Sequence, residues 1–222
     1  MPNLRFAAQA LVTEARTLCT TVVADSDSLF AMTPEPPPAG SNLIISDREI
    51  HRLVSRVLSA AANLHKLVAP SVKKRTTDTP RSLVARKQRK EMFRELLQGI
   101  GLPETSREDA RHTLEHFDER LDRLIVELEG APPALVTLDL ALYSWMPGTR
   151  LPVAPDRPVI PLRLYVAESR TYYCFDGSVE QPTVLAAANI GRLRSESEAV
   201  LDRIREWFGP EPAEPGGYMF PT

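Results

Sequence analysis

Cysteine is nearly absent from this chain: Cys19 and Cys174 are the only two in 222 residues, and they fall in segments of different type. Neither their number nor their spacing gives a disulfide framework or a metal knuckle, so a reducing cytoplasm is the expected setting. Glycine is sparse, at ten residues against twenty prolines, and most prolines fall between the periodic segments, where they mark linkers. No Walker loop, dinucleotide fingerprint or serine elbow occurs, which leaves nucleotide hydrolysis and Rossmann-type redox chemistry without support. Long hydrophobic runs are missing as well. The N-terminal stretch MPNLRFAAQALVTEARTLCT is interrupted by Arg5, Glu14 and Arg16, so it lacks the core of a signal peptide or membrane span and reads as a first core helix. No membrane association is expected. The net charge is only −2, which excludes a chain that binds nucleic acid through its overall charge.

What the chain does have is 43% hydrophobic content, enough to bury a real core, and helical periodicity through most of its first half. A helix from about Leu4 to Ala24 carries Phe6, Ala10, Leu11, Leu18 and Val22 inward. The proline-rich loop Thr33 to Gly40 follows. Ser46-Asp47-Arg48-Glu49 is a capping box opening a second helix through Ile50, Leu53, Val54, Val57, Leu58, Ala61, Leu64 and Leu67, which Pro70 stops. A third helix is expected from about Arg81 to Gln98. A fourth runs from Ser106 to Glu129, with Leu114, Phe117, Leu121, Leu124 and Leu128 on one face.

After Gly130 the pattern changes. Leu135 to Trp145 leaves helix and strand open, whereas Ile160 to Val166 and Arg170 to Phe175 alternate as a β-hairpin. A last helix is expected from Pro182 to Phe208, and a loose Pro- and Gly-rich tail over 209–222. The fold expected is mainly α: a four-helix antiparallel bundle over 1–129, with a C-terminal β-hairpin and helix extension over 130–208 packed on it.

Charge is concentrated in one place. Lys73 to Arg94 holds nine basic residues (Lys73, Lys74, Arg75, Arg81, Arg86, Lys87, Arg89, Lys90 and Arg94) against two acids, Asp78 and Glu91. Such a stretch reads either as a solvated face or as a phosphate-binding track. For the second reading Lys73, Lys74, Arg75, Arg86, Arg89 and Lys90 are the RNA-binding candidates. No aromatics are interleaved with them, so a strand would be held by its backbone rather than read by its bases.

Chemistry concentrates just beyond. Arg111-His112-Thr113-Leu114-Glu115-His116 gathers an arginine and two of the four histidines into six residues near the start of the fourth helix. At about 100° per residue His112 and His116 share one side and Arg111 sits roughly 140° from His116. All three lie outside the apolar stripe. A histidine can move a proton to or from a ribose hydroxyl or a leaving oxygen, and an arginine can hold the charge that develops on phosphate.

This string, continuing as Phe117-Asp118-Glu119-Arg120-Leu121-Asp122, resembles the RxxxxH signature of the HEPN superfamily. These are helical-bundle proteins, many of them metal-independent endoribonucleases of toxin, antiphage and RNA-processing systems. The resemblance covers roughly Leu4 to Glu129. It implies that Arg111 and His116 are the active pair, with His112 as the polar residue that commonly follows the arginine. It also implies RNA as substrate, no cofactor, and a homodimer in which two such helices build one cleft. An antitoxin or sensor protein is a further partner it suggests. Glu115 and Asp118 would need pairing with Arg111, Arg120 or another base for a phosphate to approach.

Other readings of the same residues stay open. His112 and His116, four apart on a helix, could hold a metal ion with Glu119, His51 or His65. Arg111 could instead pair with Glu115, leaving the histidines on a solvated or subunit-contacting face. The bundle could also be a non-catalytic dimerisation and binding module.

Overall fold

The computed structural model describes residues 2–33, 35–38, 45, 47–107, 119, 122, 126, 139–147, 162–177 and 182–209. Helix α1 runs over Pro2–Ala31, α2 over Arg48–Val68, α3 over Pro80–Leu96 and α4 over Ile190–Phe208. Strands β1 (Asp139–Leu142), β2 (Arg163–Val166), β3 (Thr171–Gly177) and β4 (Pro182–Asn189) form one sheet in that order. The first pair is parallel and the other two antiparallel, so the sheet is mixed.

Helix α1 is the element on which the others assemble, packing along both α2 and α4. Its buried stripe is Val12, Ala15, Cys19, Val22, Ser26 and Leu29, spaced at three and four residues as one helical face requires. Ala10 falls off that stripe and is exposed, contrary to the expectation from sequence. Helix α2 buries Ile50, Leu53, Val54, Val57, Leu58, Ala61 and Leu64 as its periodicity demands. Its N-cap is Asp47, whose carboxylate accepts from the Glu49 N–H at 2.8 Å, and Ala69 just before Pro70 is its C-cap. Helix α3 is different in kind. Thr79 caps it and Pro80 occupies its first turn, but only Phe93 and Leu96 are buried, and most of its charges other than Arg86 and Arg89 face outward.

The sheet has two buried faces. Ala141, Tyr165, Tyr172 and Cys174 join Val22, Leu29, Ile50, Val54, Val57 and Ile190 in one apolar cluster beneath α1 and α2. Leu140, Leu142, Leu164, Val166 and Tyr173 form a second cluster on the alternate positions, where Trp145 meets the Tyr173 ring edge-on at 5.4 Å. A third cluster, at the other end of the helices, combines Val12, Cys19, Leu64, Phe93 and Leu96 with Val200 and Ile204 of α4.

The architecture corrects the expected four-helix antiparallel bundle with a hairpin extension. The described residues form four helices and a mixed four-stranded sheet, and the C-terminal helix is a packing partner of α1. Residues 182–189, expected as the start of the last helix, are strand β4. Leu185 and Ala186 to Ala188 are good helix formers, yet antiparallel pairing with all of β3 wins. A bulge at Tyr172/Tyr173 fits the strand to its partner. Asn189 then ends β4 and caps α4, its Oδ1 accepting from the Arg192 N–H at 2.9 Å. The expected hairpin is present as β2 and β3, and the open stretch before Trp145 supplies β1.

Candidate functional site

Arg111, His112 and His116, the expected catalytic set, lie outside the described residues. The chain leading into them is described as far as Arg107, and it is held firmly. The Glu196 carboxylate of α4 accepts from the backbone N–H groups of Glu104 and Thr105 at 2.7 and 2.8 Å and from the Thr105 hydroxyl at 2.6 Å. The Glu104 carboxylate in turn accepts from the Asn189 N–H at 2.7 Å and faces Arg107 at 3.4 Å. Both glutamates are buried. Each is therefore stabilised by donors replacing water, and the turn over 103–106 is tied to the N-cap and the second turn of α4. His65 of α2, with Thr105, Arg107 and Leu193, lines a small cavity beside this turn.

Within the expected fourth helix Glu119, Asp122 and Val126 are described. All three are helical and exposed, Val126 at 70%.

The basic stretch divides into structural and outward-facing parts. The Arg86 guanidinium pairs with Asp78, whose carboxyl also takes the Arg75 N–H at 2.5 Å and is held below the usual range chiefly by that bond. Arg86 also reaches the Lys73 carbonyl, and Arg89 the Lys66 carbonyl at the end of α2, both at 3.5 Å. Arg86 and Arg89 thus tie α3 to the preceding loop and helix, while Lys73, Lys74, Arg75, Lys87 and Lys90 are exposed.

Sequence reasoning missed a second polar concentration. Along α2, Arg48, Arg52 and Arg56 recur every four residues, so their Cα atoms climb one face in steps of about 6 Å. They line an open cleft of about 600 Å³ with His51, Ser55, Ser59 and Asn63 of α2, Leu18 and Thr21 of α1, and Asp139 and Arg163 of the sheet. The parallel register of β1 and β2 sets Asp139 beside Arg163, and their side chains join at 2.5 Å. His51 is buried, with Nδ1 4.0 Å from Asp139 Oδ1 and no hydrogen-bond partner. Burial drives its pKa down to about 4, opposed by Asp139 and aided by Arg163, so the ring is neutral at pH 7. Arg56 holds Asp25 at 2.9 Å, and Arg52 pairs with Glu49. Arg48 has no ion pair among the described residues. The i, i+4 arginines were legible in the sequence; the Asp139 and Arg163 contribution needed the topology.

His51 and His65 are fourteen residues apart on α2, about 21 Å along its axis, so no more than one of them could join His112 and His116 on an ion. Among the described residues no group of three His, Cys, Asp or Glu side chains is arranged to hold a metal. No described helix is long and apolar enough to cross a membrane. No protein-family model, curated protein or solved structure matches this chain.

Proposed function

We propose that this protein is a metal-independent endoribonuclease of the HEPN type, of toxin or antiphage-defence character, with Arg111 and His116 acting at a homodimer interface and His112 beside them. The supporting observation is the exposure of Glu119, Asp122 and Val126. On a helical wheel drawn from the sequence at about 100° per residue, these positions and His112 all fall within the sector of roughly 140° bounded by Arg111 and His116. Leu114, Phe117, Leu121, Leu124 and Leu128 fall in the opposite sector. On that wheel the motif shares a sector with the three exposed positions, which supports a site open to a substrate or a second copy. Val126 gives that side an apolar element for self-association.

The chemistry follows from the residue types. His116 takes the proton of a ribose 2′-hydroxyl, the 2′-oxygen bonds to phosphorus, and the bond to the 5′-oxygen breaks as that oxygen takes a proton from a second imidazole. Arg111, charged at any working pH, stabilises the phosphorane charge. The products are a 2′,3′-cyclic phosphate and a 5′-hydroxyl. Cytoplasmic RNA is the substrate class, and an antitoxin or sensor protein is the natural controller of such an activity.

Incubation of the purified chain with a labelled RNA pool and with DNA of the same sequences, both in EDTA, tests this reading. Cleavage of the RNA alone, with cyclic-phosphate ends, is expected. Cleavage of both, or of neither by a folded dimer, overturns it; the second result leaves a binding module.

A further inference from the structure

We infer that the arginine cleft along α2 is a binding track for the phosphate backbone of single-stranded RNA, separate from the motif at Arg111 and His116. The inference rests on the reading of RNA as substrate and names a surface that holds it.

Four guanidiniums, from Arg48, Arg52, Arg56 and Arg163, line the cleft. Two are aimed by carboxylates: Asp25, itself buried, holds Arg56, and Asp139 holds Arg163. Fixing a guanidinium in this way lowers the entropy lost when it meets a phosphate. Arg52 is 58% exposed and its pairing with Glu49 is a surface contact, worth little and readily exchanged for a phosphodiester. Arg48 stands at the start of α2, where the helix dipole also favours an anion.

A second observation points to a ligand independently. His51 is more than nine-tenths buried, its Nδ1 has no hydrogen-bond partner, and the ring lines this same cleft. A buried polar nitrogen without a hydrogen bond is costly, and a turn of the ring away from Asp139, whose Oδ1 lies 4.0 Å from Nδ1, would let it donate to a phosphate oxygen and remove that cost. Ser55, Ser59, Asn63 and Thr21 add neutral donors of the kind that position a backbone.

The shape selects among anions. The cleft is open and its polar positions run from Arg48 to Asn63, about 22 Å along the helix, longer than one phosphate or mononucleotide occupies. Among the described residues no Phe, Tyr or Trp lines it, and its one aromatic ring, His51, is buried, so no stacking platform is offered to successive bases and the grip is insensitive to sequence.

The test measures binding of a fluorescent single-stranded RNA to the full chain over a range of salt, in a His116→Ala background that prevents turnover. Arg48→Gln with Arg52→Gln removes two exposed guanidiniums without touching the core. The account predicts binding weakened about tenfold or more and a log–log salt slope smaller by about 1.4, two contacts at roughly 0.7 each for a single strand. The charge-matched Arg192→Gln with Arg205→Gln variant on α4 is expected to bind as the parent. Equal weakening by both pairs, an unchanged slope in the cleft variant, or no RNA binding at all overturns the proposal. So does a cleft that takes inorganic phosphate or a mononucleotide but leaves RNA binding unaffected when mutated. Cleft-dependent RNA binding by a wild-type chain that does not cleave RNA would overturn the nuclease reading and leave this one standing. Cleavage with cleft-independent binding would do the reverse.

Discussion

Glu196 accepts hydrogen bonds from both the backbone N–H and the hydroxyl of Thr105, at 2.8 and 2.6 Å, joining residues 91 apart in sequence. With its bond to the Glu104 N–H, this buried carboxylate fixes the last described turn before the Arg111–His116 motif to helix α4.

Replacing Glu196 with alanine leaves two buried N–H groups and a hydroxyl without their acceptor. We expect a loss of about 3 kcal/mol of stability, read from the urea midpoint, and roughly half that for Glu196→Gln, which keeps one acceptor oxygen. Because the turn precedes the motif, Glu196→Gln is also expected to lower RNA cleavage under conditions where the chain remains folded. Full stability of Glu196→Ala would show that the three bonds are not made.

Burial of neutral His51 makes stability depend on pH. Its pKa is about 4 in the folded chain and near 6.5 when unfolded, so between these values the unfolded chain binds more protons. The stabilisation is fully present above about pH 6.5 and is lost as pH falls through 4. A displacement of this size corresponds to about 3 kcal/mol. Comparing urea unfolding at pH 7 and pH 4, the wild type should lose about that much more than His51→Gln. Parallel losses in the two proteins would contradict a buried neutral ring.

Cys19 lies against α4 with its thiol pushed up to about 12 by burial, against a weaker opposing effect of the Ser197 hydroxyl. At pH 8 its thiolate is rarer than that of a solvated cysteine by more than about a thousandfold. Cys174 is buried as well. Neither thiol should react with a chromogenic disulfide reagent in the native protein, and both should in urea. Rapid labelling of the native chain would show that the α1–α4 contact opens.

The parts of this fold that the sequence makes plain are those whose local and tertiary preferences agree. Helix α2 has a cap, an unbroken stripe and a proline stop, and it forms with its bounds nearly as read. The β2–β3 hairpin shows in alternation alone. Strand β4 does not, because Leu185 and its alanines favour a helix and only pairing with β3 makes them a strand. The end of α1 is hidden for a related reason: Asp25-Ser26-Asp27-Ser28 resembles a turn, yet Ser28 returns its hydroxyl to the Ala24 carbonyl at 2.9 Å and the helix continues to Ala31. At the level of the sites, the RxxxxH string stands out because its residues are neighbours in sequence. Asp139, Arg163 and His51 do not, since only the parallel pairing of β1 with β2 brings them to one cleft. Glu104 and Glu196 are hidden too, because a glutamate's burial depends on donors that come from distant turns.

Arg111 and His116 are the proposed cleavage pair. Single-turnover cleavage of one labelled RNA in EDTA, by wild type, Arg111→Ala and His116→Ala matched for folding and solution mass, tests their role. The account predicts that each substitution slows cleavage by about two to four orders of magnitude while the dimer and its RNA affinity persist. Undiminished cleavage by either variant would contradict it.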